Sequence, residues 1–340
     1  MTRRVLLLLF AVLLLGGVGT TAVLNASANA GQREHQQAGG PAVRNGNLTL
    51  RPPSGRELVF RNMTWGPYRD DLVTVPADRP DAPRTASGVK CLRFYAASGT
   101  GVCLQAEHGT LGDSYQAVIL DAGLRELHRF PLAGIPTRAR VSPDGRLAAW
   151  TVFVGGDSYA GTNFSTRTSI VDTRTWKLDD NLETFTIIKD GHPYRASDIN
   201  VWGVTFADDD RFYATVATGG QTYLVQGSLS ARTLTTLHQN VECPSLSPDG
   251  TRIAYKKRVP GASPDAPWRL YVLDLRTMTE TATAEHRNID DQAVWSDDST
   301  LVYALPGNYG TDLWTVPADG TGAARLLTKA ALAPAYLQAN

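Results

Sequence analysis

The sequence is short of the features that most often declare a function. Cysteine occurs 3 times in 340 residues, at positions 91, 103 and 243. Scattered thiols without nearby histidines do not make a zinc site of the usual spacing. Neither sign of charge is in excess, since 33 Lys and Arg balance 33 Asp and Glu. A near-neutral chain lacks the basic field that a general nucleic-acid binder spreads over one face, so no nucleic-acid partner is expected. Helical periodicity is also scarce. Only the Ala-rich tail after Lys329 offers about ten residues that could be read as a helix.

What is present starts at the N-terminus. "MTRR" precedes an apolar run from Val5 to Leu24, and "ANA" at 28–30 offers small residues at a cleavage point. Positive end, apolar run and small residues read as a secretory signal. The run of roughly 20 residues is also long enough to span a bilayer, so an uncleaved anchor through residues 5–24 is the alternative. Both readings put the remainder outside the cytoplasm, secreted or held at the cytoplasmic membrane. Residues 31–46 carry no periodicity and read as a flexible tether. An extracytoplasmic compartment permits disulfides. Cys91 and Cys103 fall on segments read as neighbouring strands and form the candidate pair. The other reading is that all three cysteines are small buried apolar side chains.

A hairpin then repeats. "SLSPDGTRIAYKKR" (245–258) reads as strand, tight turn, strand, with Pro presetting one turn dihedral and Gly supplying another. "ARVSPDGRLAAWTV" (139–152) is nearly a copy. Related hairpins occur at 50–61, 92–106, 204–216 and 293–305. Each is followed by a third strand, such as "YQAVILDA" (115–122) or "WRLYVLDLRT" (268–277), and most by a weaker fourth. A four-stranded antiparallel unit has two faces to cover, and radial stacking covers both. The expected fold is therefore all-β, a six-bladed β-propeller over 47–329. Residues 330–340 are a tail that packs on the ring, with 334–338 available as an edge strand.

The Ser142–Gly145 and Ser247–Gly250 turns resemble the WD40-like (PD40) repeat of TolB-type propellers. That resemblance implies an exported six-bladed ring. It does not extend to the α/β domain that precedes the ring in TolB, so the role of TolB itself is not carried over. Similar repeats occur in propellers attached to prolyl-oligopeptidase-like peptidases, but no G-x-S-x-G elbow is present, and peptidase chemistry is not expected.

Candidate site residues come from the segments before each first strand, which in a propeller cross the channel mouth. These hold His192, Tyr194, Arg195 and Asp198, then His238 and Glu242, then His286, Arg287, Asp290 and Asp291. Trp65, Tyr68 and Arg69 form a second candidate, an aromatic surface anchor in a polar loop. Trp202, Trp295 and Trp314 read as packing residues. Asn47, Asn62 and Asn163 head tripeptides that fit glycan acceptors. The favoured reading is a binding or scaffold propeller of the cell envelope that recognises a protein through loops on one face, with no cofactor and no catalytic residue. The rival is a metal-assisted lyase or hydrolase acting on a saccharide or lactone, with the three histidines converging on a divalent metal.

Overall fold

The computed structural model describes residues 40–109, 112–159 and 164–339. The expected leader, most of the tether and Asn163 lie outside these residues. Among the described residues no helix is long and apolar enough to cross a membrane. The chain forms six mainly antiparallel sheets in a ring, a β-propeller.

The packing logic is visible in the second strand of blade five, Arg252–Arg258. Alternate residues point to opposite faces of a strand. Ile253 and Tyr255 turn towards blade four and share a cluster with Tyr213 and Leu224. Ala254 turns the other way, into a cluster with Trp295, Leu301 and Tyr303 of blade six. Both faces are thus buried, which is why the strand lacks the apolar–polar alternation of a sheet wet on one side.

The two Ser-Pro-Asp-Gly turns are built alike. Ser142 Oγ donates to Asp144 Oδ1 at 2.6 Å and accepts from the Leu147 amide at 2.8 Å. Ser247 donates to Asp249 and accepts from the Arg252 amide at 2.9 Å. Gly145 and Gly250 sit at φ of 80° and 72°, a left-handed conformation that favours glycine. These side chains are spent on the turn. An aspartate also closes the turn after the third strand, where Asp172 and Asp274 accept amides two residues ahead at 2.8 and 3.0 Å. Arg146 bridges the two turns of blade three by bonding Asp172 at 2.7 Å.

Ring closure differs from the sequence expectation. The expected first strand of blade one, within residues 50–55, is not a strand. Its place is taken by Ala331–Gln338, which pairs antiparallel with Arg56–Asn62 as the innermost strand. The last residues therefore enter the first blade, and the Ala-rich tail is neither helix nor appendage. Ala335 and Leu337 from this strand pack with Val59, Leu72 and Phe94, and so reach blades one and two together.

Two blades exceed four strands. Val43–Asn45 adds a parallel strand to the outer edge of blade one, so the end of the expected tether is structured. Blade four gains a hairpin, Thr186–Lys189 and His192–Tyr194, also on its outer edge. Asn62, a candidate glycan acceptor, is fully buried and bonds the Arg84 guanidinium at 2.6 Å, so its side chain is inaccessible to a glycan.

Cys91 and Cys103 form a disulfide with their Cα atoms 5.3 Å apart, and Cys243 is a buried free thiol. Cys91 lies in the crossing from blade one to blade two, so the bond ties that crossing to the second strand of blade two. The loop closed spans 12 positions, and chain entropy assigns such a link about 3 kcal/mol. Urea unfolding of the Cys91→Ser/Cys103→Ser double variant should show a loss of that order, matching the effect of reduction on the wild-type chain. A second expectation concerns closure. Leu337→Ala removes a side chain that is only 2% exposed, and such a truncation costs about 2–5 kcal/mol. The unfolding should stay a single transition, because all six blades depend on the closed ring.

Candidate functional site

The innermost strands surround a central channel. At the end where the chain enters these strands the channel opens into a cavity of about 780 Å³. The first residues of the innermost strands of blades two and three contribute Arg93 and Ile135–Arg138, and the crossing before blade six contributes Arg287, Asn288, Asp290 and Asp291. Loops between second and third strands add Asp157–Tyr159, Ala266 and Pro306. The apolar wall comes from Ile135, Pro136, Phe153, Leu305 and Leu332. Ile135 is 45% exposed, an unusual position for a large aliphatic side chain, and forms the lip.

The floor is ionic. Arg93 Nη1 lies 2.8 Å from Asp291 Oδ2, and Arg138 Nη1 lies 3.5 Å from the other oxygen. Burial alone would push the Asp291 carboxyl up, but the two guanidiniums overcome it and hold the group down at about 2. Arg138 also donates to the carbonyls of Thr137 and Asp290, both at 2.8 Å, and stacks over the Tyr159 ring. Burial pushes the Tyr159 phenol up, and its hydroxyl meets Thr137 Oγ1 at 2.8 Å. Beside this lies Lys256, 1% exposed, with its ammonium 3.8 Å from the Trp268 ring centre and 3.0 Å from Asp290 Oδ1. A chain of charges thus rings the floor, each anchored before any ligand arrives.

Below the floor the channel narrows to a chamber of about 20 Å³ bordered by Arg138, Arg140, Asp291 and Gln292. That is room for about one water molecule. Gln292 donates to the Pro244 carbonyl at 2.5 Å, but its Oε1 is buried with no protein partner.

Of the sequence candidates, Arg287, Asp290 and Asp291 reach this mouth. Arg287 stacks 3.8 Å over Trp314 and pairs with Glu285. His286 is exposed and does not line the cavity. His192 and Tyr194 belong to the outer hairpin of blade four, on the far side of the blade from the channel. Arg195 follows that hairpin and is exposed, and Asp198 caps Gly219. His238 lies in the outermost strand of blade four proper and meets Glu280 of blade five at 3.0 Å. The expected convergence of His192, His238 and His286 does not occur, because the insertion before blade four folds outward as a hairpin, His238 is held in a fourth strand and His286 is exposed outside the cavity. Among the described residues no group of three metal-ligating side chains comes together.

Glu242 is fully buried, held by Arg258 at 2.7 Å and by Trp268 Nε1 at 2.9 Å, so it braces the wall. Trp65 and Tyr68 are partly buried against the core, and Arg69 stacks 4.3 Å over Trp65 while bonding the Met63 carbonyl. None of the three lines the mouth cavity.

Sequence reasoning missed Arg93, Arg138, Phe153, Tyr159 and Lys256. A signal for one of them existed. Arg138 and Arg140 stand two apart just before a Ser-Pro-Asp-Gly turn, in the strand that borders the channel, so both lie on one face of it.

No known protein family and no curated protein matches the sequence. Solved structures do. A puromycin-hydrolyzing peptidase from Mycobacterium tuberculosis superposes with a TM-score of 0.50 and 15% identity over 83% of this chain. This chain spans 44% of the length of that peptidase. A TolB from Agrobacterium tumefaciens superposes with a TM-score of 0.44 and 11% identity, covering 80% of this chain and 88% of its own. The β-propeller domain of the trilobed protease from Pyrococcus furiosus gives 0.39 and 12%, covering 67% of this chain and 68% of its own. The likeness is one of fold. A shared propeller leaves the activity open, since function resides in the site.

The floor carries a pH signature. Asp291 binds its proton more weakly folded than unfolded, where its ordinary value is 3.8. Its contribution to stability is complete above that value and declines as pH falls from about 4 to about 2. Acid titration of Asp291→Asn should show lower stability at neutral pH and a shallower decline across that window.

Proposed function

We propose that this chain is a non-catalytic binding module of the cell envelope that seats an extended segment of a partner protein in the channel mouth. The observation that carries the reading is the preformed cavity of about 780 Å³, apolar on its wall and ionic on its floor. Small sites of this kind combine apolar enclosure with a few fixed polar groups that orient the ligand. Rigidity favours binding as well. The floor residues are held by backbone carbonyls, aromatic faces and one another, so little side-chain entropy is lost when a partner docks.

General acid–base catalysis at the floor would require a group poised to exchange protons near neutral pH. Asp291 is held at about 2, and burial pushes the Tyr159 phenol up, away from neutrality. Both are tuned for a fixed charge state. The leader-like N-terminus supports an extracytoplasmic location, with an envelope or extracellular protein as the partner.

A photo-crosslinking residue in place of Ile135, at the lip, should yield protein adducts when the full chain is expressed in its own cells. The same residue in place of Leu127, which is 51% exposed in the outer strand of blade two, should yield none. Adducts from Leu127 alone, or equally from both, would overturn the mouth as the docking face.

A further inference from the structure

The charges of the mouth are unevenly layered. The wider part of the mouth carries Asp157 and Arg287, and Asp290 sits beside Lys256 at the edge of the floor. The floor and the chamber beneath carry three guanidiniums, Arg93, Arg138 and Arg140, around the single carboxylate of Asp291. Asp290 acts on Arg138 as well as on Lys256, whose ammonium it meets at 3.0 Å, so its one charge is divided between two cations.

Arg140 is the sharpest case. It is 8% exposed, and its Nη2 donates to the Ala293 carbonyl at 2.7 Å, while the Tyr95 ring lies 4.5 Å away. Among the described residues no carboxylate forms a salt bridge with it. Burial accordingly lowers its affinity for the proton. The carboxylate that acts on it is Asp291, shared with Arg93 and Arg138, and a buried cation so thinly compensated is costly. Arg84, buried like Arg138 and Arg140, also lacks a salt bridge among the described residues but spends its fork on Asn62, Thr328 and the Ala330 carbonyl.

We infer that the floor of the mouth receives one carboxylate carried on an apolar stem, the C-terminal or acidic side-chain group of the partner segment. This deepens the binding-module reading and rests on it. The carboxylate supplies the second negative charge that three guanidiniums lack, and charge-assisted bonds to arginine are the strong ones. The stem runs along Ile135, Phe153, Leu305 and Leu332. Asp157 on the wall and Asp291 in the floor repel a ligand with several negative charges, so the site selects against phosphate and polyanions.

The test uses the full chain labelled with ¹⁵N-arginine, following the guanidinium Nε–H signals of Arg93, Arg138 and Arg140. The probes are acetate, butyrate and hexanoate, with hexanamide and inorganic phosphate as contrasts. Saturable shifts are expected for all three carboxylates. Affinity should rise with chain length by up to about fourfold per methylene, the ratio equivalent to burying one CH₂. Hexanamide and phosphate should each bind at least tenfold more weakly than hexanoate. Arg93→Gln, at a partly exposed position, should weaken hexanoate at least tenfold, and Arg140→Gln provides a second variant if the first unfolds.

Absence of a saturable shift with hexanoate up to 50 mM would overturn the inference, as would equal binding of hexanamide or stronger binding of phosphate. Crosslinks from position 135 that persist in that event would leave the docking face standing and remove only its carboxylate specificity. Loss of those crosslinks as well would remove both.

Discussion

Ala331–Gln338 hydrogen-bonds to Arg56–Asn62, and the shape of the disc depends on that antiparallel pair. Without it the first and sixth blades would each expose a face, and the innermost strand of blade one would be missing. A propeller has no core at one point. Its apolar surface is divided among the gaps between blades, and each gap is buried only when both neighbours are in position. Closing the last gap with a strand from the far end of the chain makes the ring one cooperative object. Arg84 reinforces the seam from within blade one, bonding the carbonyl of Ala330 just before the closing strand begins.

That seam also completes the mouth. Leu332 belongs to the closing strand and forms part of the cavity wall, while Arg93 on the neighbouring innermost strand supports the floor. Fold stability and the site are therefore coupled through the same strands. The ionic floor is costly to bury and is made tolerable by pairing. Asp291 serves two arginines, Lys256 rests on Trp268 and Asp290, and the Glu242 carboxylate is locked by Arg258 and Trp268. Such a floor adds little net stability against an apolar plug of the same volume. What it provides is a set of fixed charges in a partly desolvated recess, the setting in which they discriminate most strongly among ligands.

The turns at the opposite end of the disc show how residues that look chemical can be structural. Ser142, Asp144, Ser247 and Asp249 form matching hydrogen-bond networks in two blades, and each side chain is satisfied by its own turn. Their recurrence reflects the need to reverse the chain tightly at the foot of each blade.

The repeat architecture was legible in the sequence because each blade is a local event. A turn such as Ser247–Gly250 and the alternation of Ile253 and Tyr255 are settled by residues within a few positions of one another. The closing strand was legible in part: residues 334–338 read as an available edge strand, but not that the strand starts at Ala331 or that it fills the inner place blade one lacks. The mouth was legible in part. Arg287, Asp290 and Asp291 were found because crossings must pass the channel, and Arg138 with Arg140 could have been found from their spacing. His192 was misplaced because sequence spacing does not reveal whether an insertion folds inward or outward, and His238 because the fourth strand runs on to Gln239 before the crossing begins. Hairpins and blade number are decided by short-range backbone chemistry. The meeting of Arg93, Arg138 and Asp291, up to 198 residues apart, is decided by ring geometry alone.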